Sequence, residues 1–211
     1  MIIMKKIYLF FLKISNLKIL ALIRTLISYN KKGAHELLKN DDSNAYDEHK
    51  IYFSKLLLPD NTKTIMDFGC GTGRYLNILK NFQTIYLVDI SKHNLQLAST
   101  KAKSLNIDHK LKRRSLSFLN IKVDYFFSVG VFGQFYQFDT KVLKKIYSII
   151  NPNGKAVFTV KVKDEITDEI LAIKEDKILE LLNNYKYKLN KKYFSGVNNQ
   201  SDYFYVIELF K

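Results

Sequence analysis

The sequence predicts an α/β fold in which a mainly parallel β-sheet is covered by helices on both faces. Three observations carry this reading. Seven apolar runs rich in β-branched and aromatic residues recur from Thr64 onward, helix-patterned segments separate the early runs, and a turn with glycine at every second position follows the first. Strands that alternate with helices form βαβ units, which require parallel pairing. At 211 residues and 47% hydrophobic content, the chain is long enough for one domain with a full core.

Taken in order, the N-terminal stretch "KKIYLFFLKISNLKILALIRTLISY" has partly helical spacing, with Lys6, Lys13, Arg24 and Lys31 near one line of a 3.6-residue wheel. Leu17 and Leu20 intrude on that line. Lys18 falls within the apolar face of Ile7, Phe11, Ile14, Leu22 and Leu26, where its stem has to snorkel outward. Charges interrupt every long apolar run, so the segment is too polar to span a membrane, and it lacks a small-residue cleavage site. Such a helix covers an apolar groove, meets another copy of the chain, or lies in a membrane interface. Asp41, Asp42 and Ser43 supply helix-start chemistry for a short helix that ends at Pro59. The strands are expected at Thr64–Phe68, Thr84–Val88, His109–Arg113, Tyr125–Val129, Lys155–Val160, Tyr187–Phe194 and Tyr203–Phe210, and the helices at Arg74–Asn81, Lys92–Leu105, Thr140–Ile150 and Ile166–Asn184. The loop "SGVNNQSD" between the last two strands is too short for a crossover helix, so those strands pair antiparallel.

The net charge is +14. Lys, Asn, Ile and Tyr are abundant while Pro and Trp are scarce, a pattern that AT-rich codon bias produces, so the total alone names no partner. Its distribution is more informative. Residues 1–32 carry Lys5, Lys6, Lys13, Lys18, Arg24, Lys31 and Lys32 with no acid. The single cysteine, Cys70, excludes a disulfide framework and a four-cysteine zinc site, no metal is expected, and a reducing cytosol is the natural compartment. The inner membrane surface is a second location, should the basic segment lie on lipid.

The turn "IMDFGCGTGRYL" places Asp67 before Gly69, Gly71 and Gly73. Glycines let the backbone approach a ligand closely, and in open α/β sheets ligands bind at the carboxyl ends of the strands. A mononucleotide P-loop needs Lys and then Ser or Thr after its last glycine, where Arg74 and Tyr75 stand. A dinucleotide fingerprint needs its third glycine where Arg74 stands, and Asp67 opposes an anionic ligand. A ligand with a cationic end suits the turn better. S-adenosylmethionine has an ammonium, a sulfonium and a ribose diol, and Asp89, at the end of the second strand in "IYLVDIS", is placed to accept both ribose hydroxyls.

From about Tyr46 to Lys211, the chain resembles the class I S-adenosylmethionine-dependent methyltransferases, through "AYDEHKIYFSKLL", "IMDFGCGTGRYL", "IYLVDIS", "VDYFFSVGVFGQF" and "IINPNGKAVFTV", the last with Asn153 for one glycine of the family's Pro-Gly-Gly turn. The resemblance implies a Rossmann-like, doubly wound sheet of seven strands with an antiparallel last strand. It also implies S-adenosylmethionine as cofactor, a methyltransferase domain at 44–211 and a helical extension or lid at 1–43. The implied cofactor residues are Tyr46, Asp67, Gly69, Cys70, Gly71, Gly73, Asp89, Ile90, Ser115, Leu116 and Gly130. Two positions depart from the family. Ser115 with Leu116 stands where many members hold the adenine amino group with an acid, and Gln134 stands where many carry a histidine. Gln134 is no general base, so His49, Gln134 and Tyr136 are only candidates for work near the reaction.

No Asn/Asp-Pro-Pro-aromatic motif follows the fourth strand, which sets aside amino-nitrogen methylation of that type, and the lone Cys70 sets aside RNA cytosine C5 chemistry. O-methylation of a small molecule or a surface-glycan or lipid-linked intermediate is the favoured expectation. A non-catalytic assembly protein of the same fold and an RNA or protein methyltransferase are the alternatives.

Overall fold

The computed structural model describes residues 30–41, 46–162, 171–195 and 201–211, together with Ile23 and Ile27. The apolar face and basic line expected at residues 5–29 lie outside the described residues, except that Ile23 and Ile27 are helical and exposed. A helix α1 (Lys31–Asp41) and a helix α2 (Asp47–Leu57) precede the sheet. Asn30 caps α1 by accepting the Gly33 N–H at 3.1 Å. The helix start expected from Asp41 to Ser43 is corrected: Asp41 closes α1, residues 42–45 are outside the described set, and α2 begins after Tyr46 with no side-chain cap.

The sheet comprises β1 (Thr64–Phe68), β2 (Thr84–Val88), β3 (His109–Lys112), β4 (Val123–Phe132), β5 (Ile150–Lys161), β6 (Lys186–Ser195) and β7 (Ser201–Phe210). Its order is β3-β2-β1-β4-β5-β7-β6, with β7 antiparallel to both neighbours and the first five strands parallel. This is the expected seven-stranded, doubly wound arrangement. Between the strands lie α3 (Leu76–Leu79), α4 (Lys92–Ser104), α5 (Thr140–Ile149) and α6 (Glu175–Leu182). The helix expected at Arg74–Asn81 shrinks to α3, because the glycine turn continues through Tyr75. That expected at Ile166–Asn184 is helical only over α6, with residues 163–170 outside the described set. Strands β4 and β5 outrun their expected limits. The "NPNG" stretch read as a turn lies inside β5, where the register shifts against β4 and Asn153 takes a left-handed φ of 61°.

Alternation along the strands builds two cores. Ile65, Ile85, Leu87, Phe127 and Val157 face α2, α3 and α4, whereas Met66, Phe68, Val88, Phe126 and Phe158 face α5 and α6. The strand order reverses between β1 and its neighbours β2 and β4, and a crevice forms outside the carboxyl ends of strands at such a point. Helix α1 packs on α4 and so covers the flank of this crevice.

Candidate functional site

At the end of β1, Gly69, Gly71 and Gly73 all have positive φ, at 72°, 54° and 89°. The turn is sewn to the end of β2, since the Gly69 and Cys70 N–H groups donate to the Val88 carbonyl at 2.7 and 3.1 Å. That attachment brings Asp89 beside the loop. Its Oδ2 accepts the Gly71 N–H at 3.0 Å and its Oδ1 accepts the Ser91 N–H at 2.8 Å, with Asn94 Nδ2 at 3.5 Å. Asp67 and Asp89 are 2% and 8% exposed. Burial raises the carboxyl pKa of Asp89 above its ordinary value, against the opposing effect of those hydrogen bonds. Burial also pushes the Cys70 thiol well up, and the Asp89 and Asp67 carboxylates push it further, so Cys70 is a packed thiol rather than a nucleophile. Asp67, at the end of β1, and Asp89, through its bond from the Gly71 N–H, thus flank the loop.

Each glycine has its own steric reason. A Cβ at Gly69 would stand 2.3 Å from Val131 Cγ2, and one at Gly73 would stand 2.6 Å from Leu76 Cδ1 and 3.4 Å from the Ala98 Cα of α4. At Gly71 the nearest atom is Leu37 Cδ2 of α1, at 3.2 Å. The N-terminal extension therefore reaches the loop itself.

The remaining predicted residues line the same end of the sheet. Tyr46 stacks under the Arg74 guanidinium, 3.6 Å from ring centroid to Cζ, and meets the buried His49 edge-on at 5.3 Å. The Ile90 carbonyl accepts from Arg113 Nε at 3.0 Å. Ser115 Oγ and Tyr136 Oη are hydrogen-bonded at 3.2 Å, Leu116 is buried beside them, and the Tyr136 ring packs edge-on against Phe68 and Phe132. The β4–β5 ladder is irregular between Ser128 and Phe132; there the Gly130 N–H donates to Thr159 Oγ1 at 2.8 Å. Gln134 folds back over Gly130, its Oε1 lying 3.4 Å from where a Cβ would stand.

Residues 66–158 match the family model described as a methyltransferase domain. Over those residues the chain is similar to methyltransferase domains. Its fold is also that of solved structures at low identity. TehB from Haemophilus influenzae is 14% identical with a TM-score of 0.66, over 78% of this chain and 62% of that one. A SAM-dependent methyltransferase from Aquifex aeolicus is 16% identical with a TM-score of 0.63, over 87% of this chain and all of that one. Magnesium protoporphyrin IX methyltransferase from Synechocystis, solved with bound SAM, is 15% identical with a TM-score of 0.60, over 84% of each chain. The chain thus spans less than two thirds of TehB. No curated protein matches in sequence.

Several side chains of the crevice escaped the sequence reading. Leu37 and Val131 press on the glycine loop, Arg74 rests on Tyr46, and Asn94 stands beside Asp89 with its buried Oδ1 unpaired among the described residues. Only Arg74 left a signal, as the residue that replaces the third glycine of the dinucleotide pattern.

Proposed function

We propose that this domain transfers a methyl group from S-adenosylmethionine to an oxygen of a small molecule or of a surface-glycan or lipid-linked intermediate. The observation that carries the reading is the convergence of two buried acids, Asp67 and Asp89, on a loop of positive-φ glycines at the carboxyl ends of β1 and β2. When bound, the cofactor supplies an electrophilic methyl group on a sulfonium sulfur.

The chain's own residues fit that ligand. Asp67 offers a carboxylate to its ammonium end, and the glycine loop admits its backbone-hugging methionine portion. Asp89 and the unpaired Asn94 Oδ1 are acceptors side by side, suited to a vicinal diol. A carboxylate has about four lone-pair positions, so accepting both hydroxyls at Asp89 requires the Gly71 N–H or the long Asn94 contact to give way. Ile90, Ser115 and Leu116 offer a slot for the adenine, braced by Tyr136. Leu37 and Tyr46 stand on the approach side, where they exclude water.

Methyl transfer from a sulfonium is an in-line displacement that asks mainly for alignment. Gly130 to Gln134, at the irregular end of β4, form the acceptor side. Gln134 holds no titratable proton, and Tyr136 is engaged with Ser115, so removal of a hydroxyl proton falls to His49 or to the acceptor's own acidity. The test is transfer of labelled methyl from the cofactor into a cell extract, followed by fractionation. Label in nuclease- and protease-resistant product, released with lipids or small solutes, is the expected result. Label in RNA or protein overturns the acceptor class, and tight cofactor binding with no S-adenosylhomocysteine formed makes the chain a non-catalytic binder.

A further inference from the structure

The carboxyl ends of the strands carry opposite charges on their two sides. Asp67 and Asp89 stand at the ends of β1 and β2, and a cation, Lys161, ends β5 with only 5% of its surface exposed. Lysine is among the residues least often buried, so a charge kept at such a place asks for a use.

The sheet fixes the face on which Lys161 lies. Lys161 pairs with Phe204 of β7, and both Val157 and Phe204 belong to the core under α2, so alternation along β5 puts Lys161 on the α2 side. Its Nζ is 5.5 Å from the centre of the Phe204 ring. Thr159, two residues earlier on the same face, accepts the Gly130 N–H through Oγ1 at 2.8 Å. Gly133 presses on Lys161 itself: a Cβ there would stand 2.8 Å from the Lys161 carbonyl oxygen, 2.9 Å from its nitrogen and 3.1 Å from its Cβ. Lys161 is thus built into the same wall as Gly130 to Gln134, the acceptor side in the proposed function.

The ring contact does not explain the charge, because the attraction of an ammonium for an aromatic face is smaller than the cost of burying that ammonium. Lys155, on the same face at the amino end of β5, has a different task. It pairs with Glu208 and donates to the Leu56 carbonyl at 2.9 Å, which ties the end of α2 to the sheet. That anchor lies far from the wall around Gly130.

We infer that Lys161 receives an anionic group of the methyl acceptor, a carboxylate or a phosphate, so that the acceptor is an acid rather than a neutral molecule. Strands β4 and β5 are neighbours, about 4.8 Å apart, so an anion at Lys161 lies within a few bonds of an oxygen held over Gly130. One charge pattern then sorts the two ligands, the cationic end of the cofactor to the acids and the anionic acceptor to the lysine. The inference rests on the methyl-transfer reading for the reacting oxygen, whereas binding of an anion at Lys161 can be tested without it.

The experiment compares the full chain with Lys161→Met, which keeps an unbranched apolar stem and removes the charge, and with Lys161→Arg, which restores the charge. Affinity for S-adenosylhomocysteine within about twofold of wild type certifies the fold of each. Inorganic phosphate and acetate, titrated by calorimetry into the S-adenosylhomocysteine complex at constant ionic strength, should bind with an affinity that Lys161→Met lowers by roughly tenfold or more and Lys161→Arg largely keeps. With labelled cofactor and cell extract, the product should be retained on an anion exchanger. Lys161→Met should raise the acceptor concentration at half-maximal rate by roughly tenfold or more, with the maximal rate less affected. Phosphatase treatment separates the two sources, since label that loses its retention marks a phosphate and label that keeps it marks a carboxylate. Anion binding that is absent, or the same in the folded Lys161→Met variant, overturns the inference, and so does label confined to uncharged products. If no label is transferred at all, the proposed function fails and the anion titration alone decides the role of Lys161.

Discussion

Replacement of Asp89 by alanine tests the ribose contact proposed for it. Its carboxylate is held by the Gly71 and Ser91 N–H groups, and burial raises its pKa above 3.8. A raised carboxyl pKa means stability that is fully present below the unfolded pKa and lost as pH rises through the folded one. Ionising Asp89 in the unliganded protein therefore carries a cost, and the fold should survive its removal. The cofactor should not. Loss of charge-assisted hydrogen bonds to two hydroxyls costs about 2 to 3 kcal/mol, and at 1.4 kcal/mol per factor of ten this is roughly thirty- to hundredfold in affinity. Calorimetric titration of S-adenosylhomocysteine measures it, with thermal unfolding as the control. An analogue lacking both ribose hydroxyls closes the cycle: it should bind wild type weakly and be indifferent to the substitution. Equal binding of S-adenosylhomocysteine by wild type and a folded variant, or an equal loss for the dideoxy analogue, refutes the assignment.

Gly71→Ala and Gly73→Ala should separate binding from folding. The first adds a Cβ that meets only the flexible end of Leu37, so about 1 to 2 kcal/mol of left-handed strain should leave a folded protein with weakened cofactor binding. The second meets Leu76 and the backbone of α4, and should lower the unfolding midpoint well beyond the first in a denaturant titration. Asp124 ties the strand starts together, accepting from the Thr64 N–H and Oγ1 at 2.8 and 2.9 Å and from Asn151 Nδ2 at 3.0 Å. Partial burial raises its pKa, but the hydrogen bonds from Asn151 and Thr64 outweigh this and hold it below 3.8. Its contribution is thus present above pH 3.8 and lost as pH falls through the lower folded value, so Asp124→Ala should destabilise at neutral pH by about 1 to 3 kcal/mol and flatten the acid limb of stability against pH. Leu37→Ser should leave cofactor affinity within a few-fold but speed cofactor release in stopped flow, because it opens the approach side of Gly71; an unchanged off-rate removes α1 from the lid.

The strands and the glycine turn were legible because both are written in local chemistry. Thr64–Phe68 and Thr84–Val88 are short apolar runs bounded by turn residues, and their limits match those expected. The alternate glycines after Asp67 need no tertiary knowledge to be read as a close-approach turn, since freedom at positive φ belongs to the residue itself. The sheet order, by contrast, depends on which strands bury each other's faces, and only the tertiary structure decided that β7 inserts between β5 and β6. The extent of β5 through "NPNG" was hidden because proline and asparagine read locally as a turn, while pairing across β4 carries the strand past them with a bulge. Leu37 is an ordinary helical leucine in sequence. Its place over Gly71 comes from the packing of α1 on α4, a contact between segments more than fifty residues apart that no local pattern encodes.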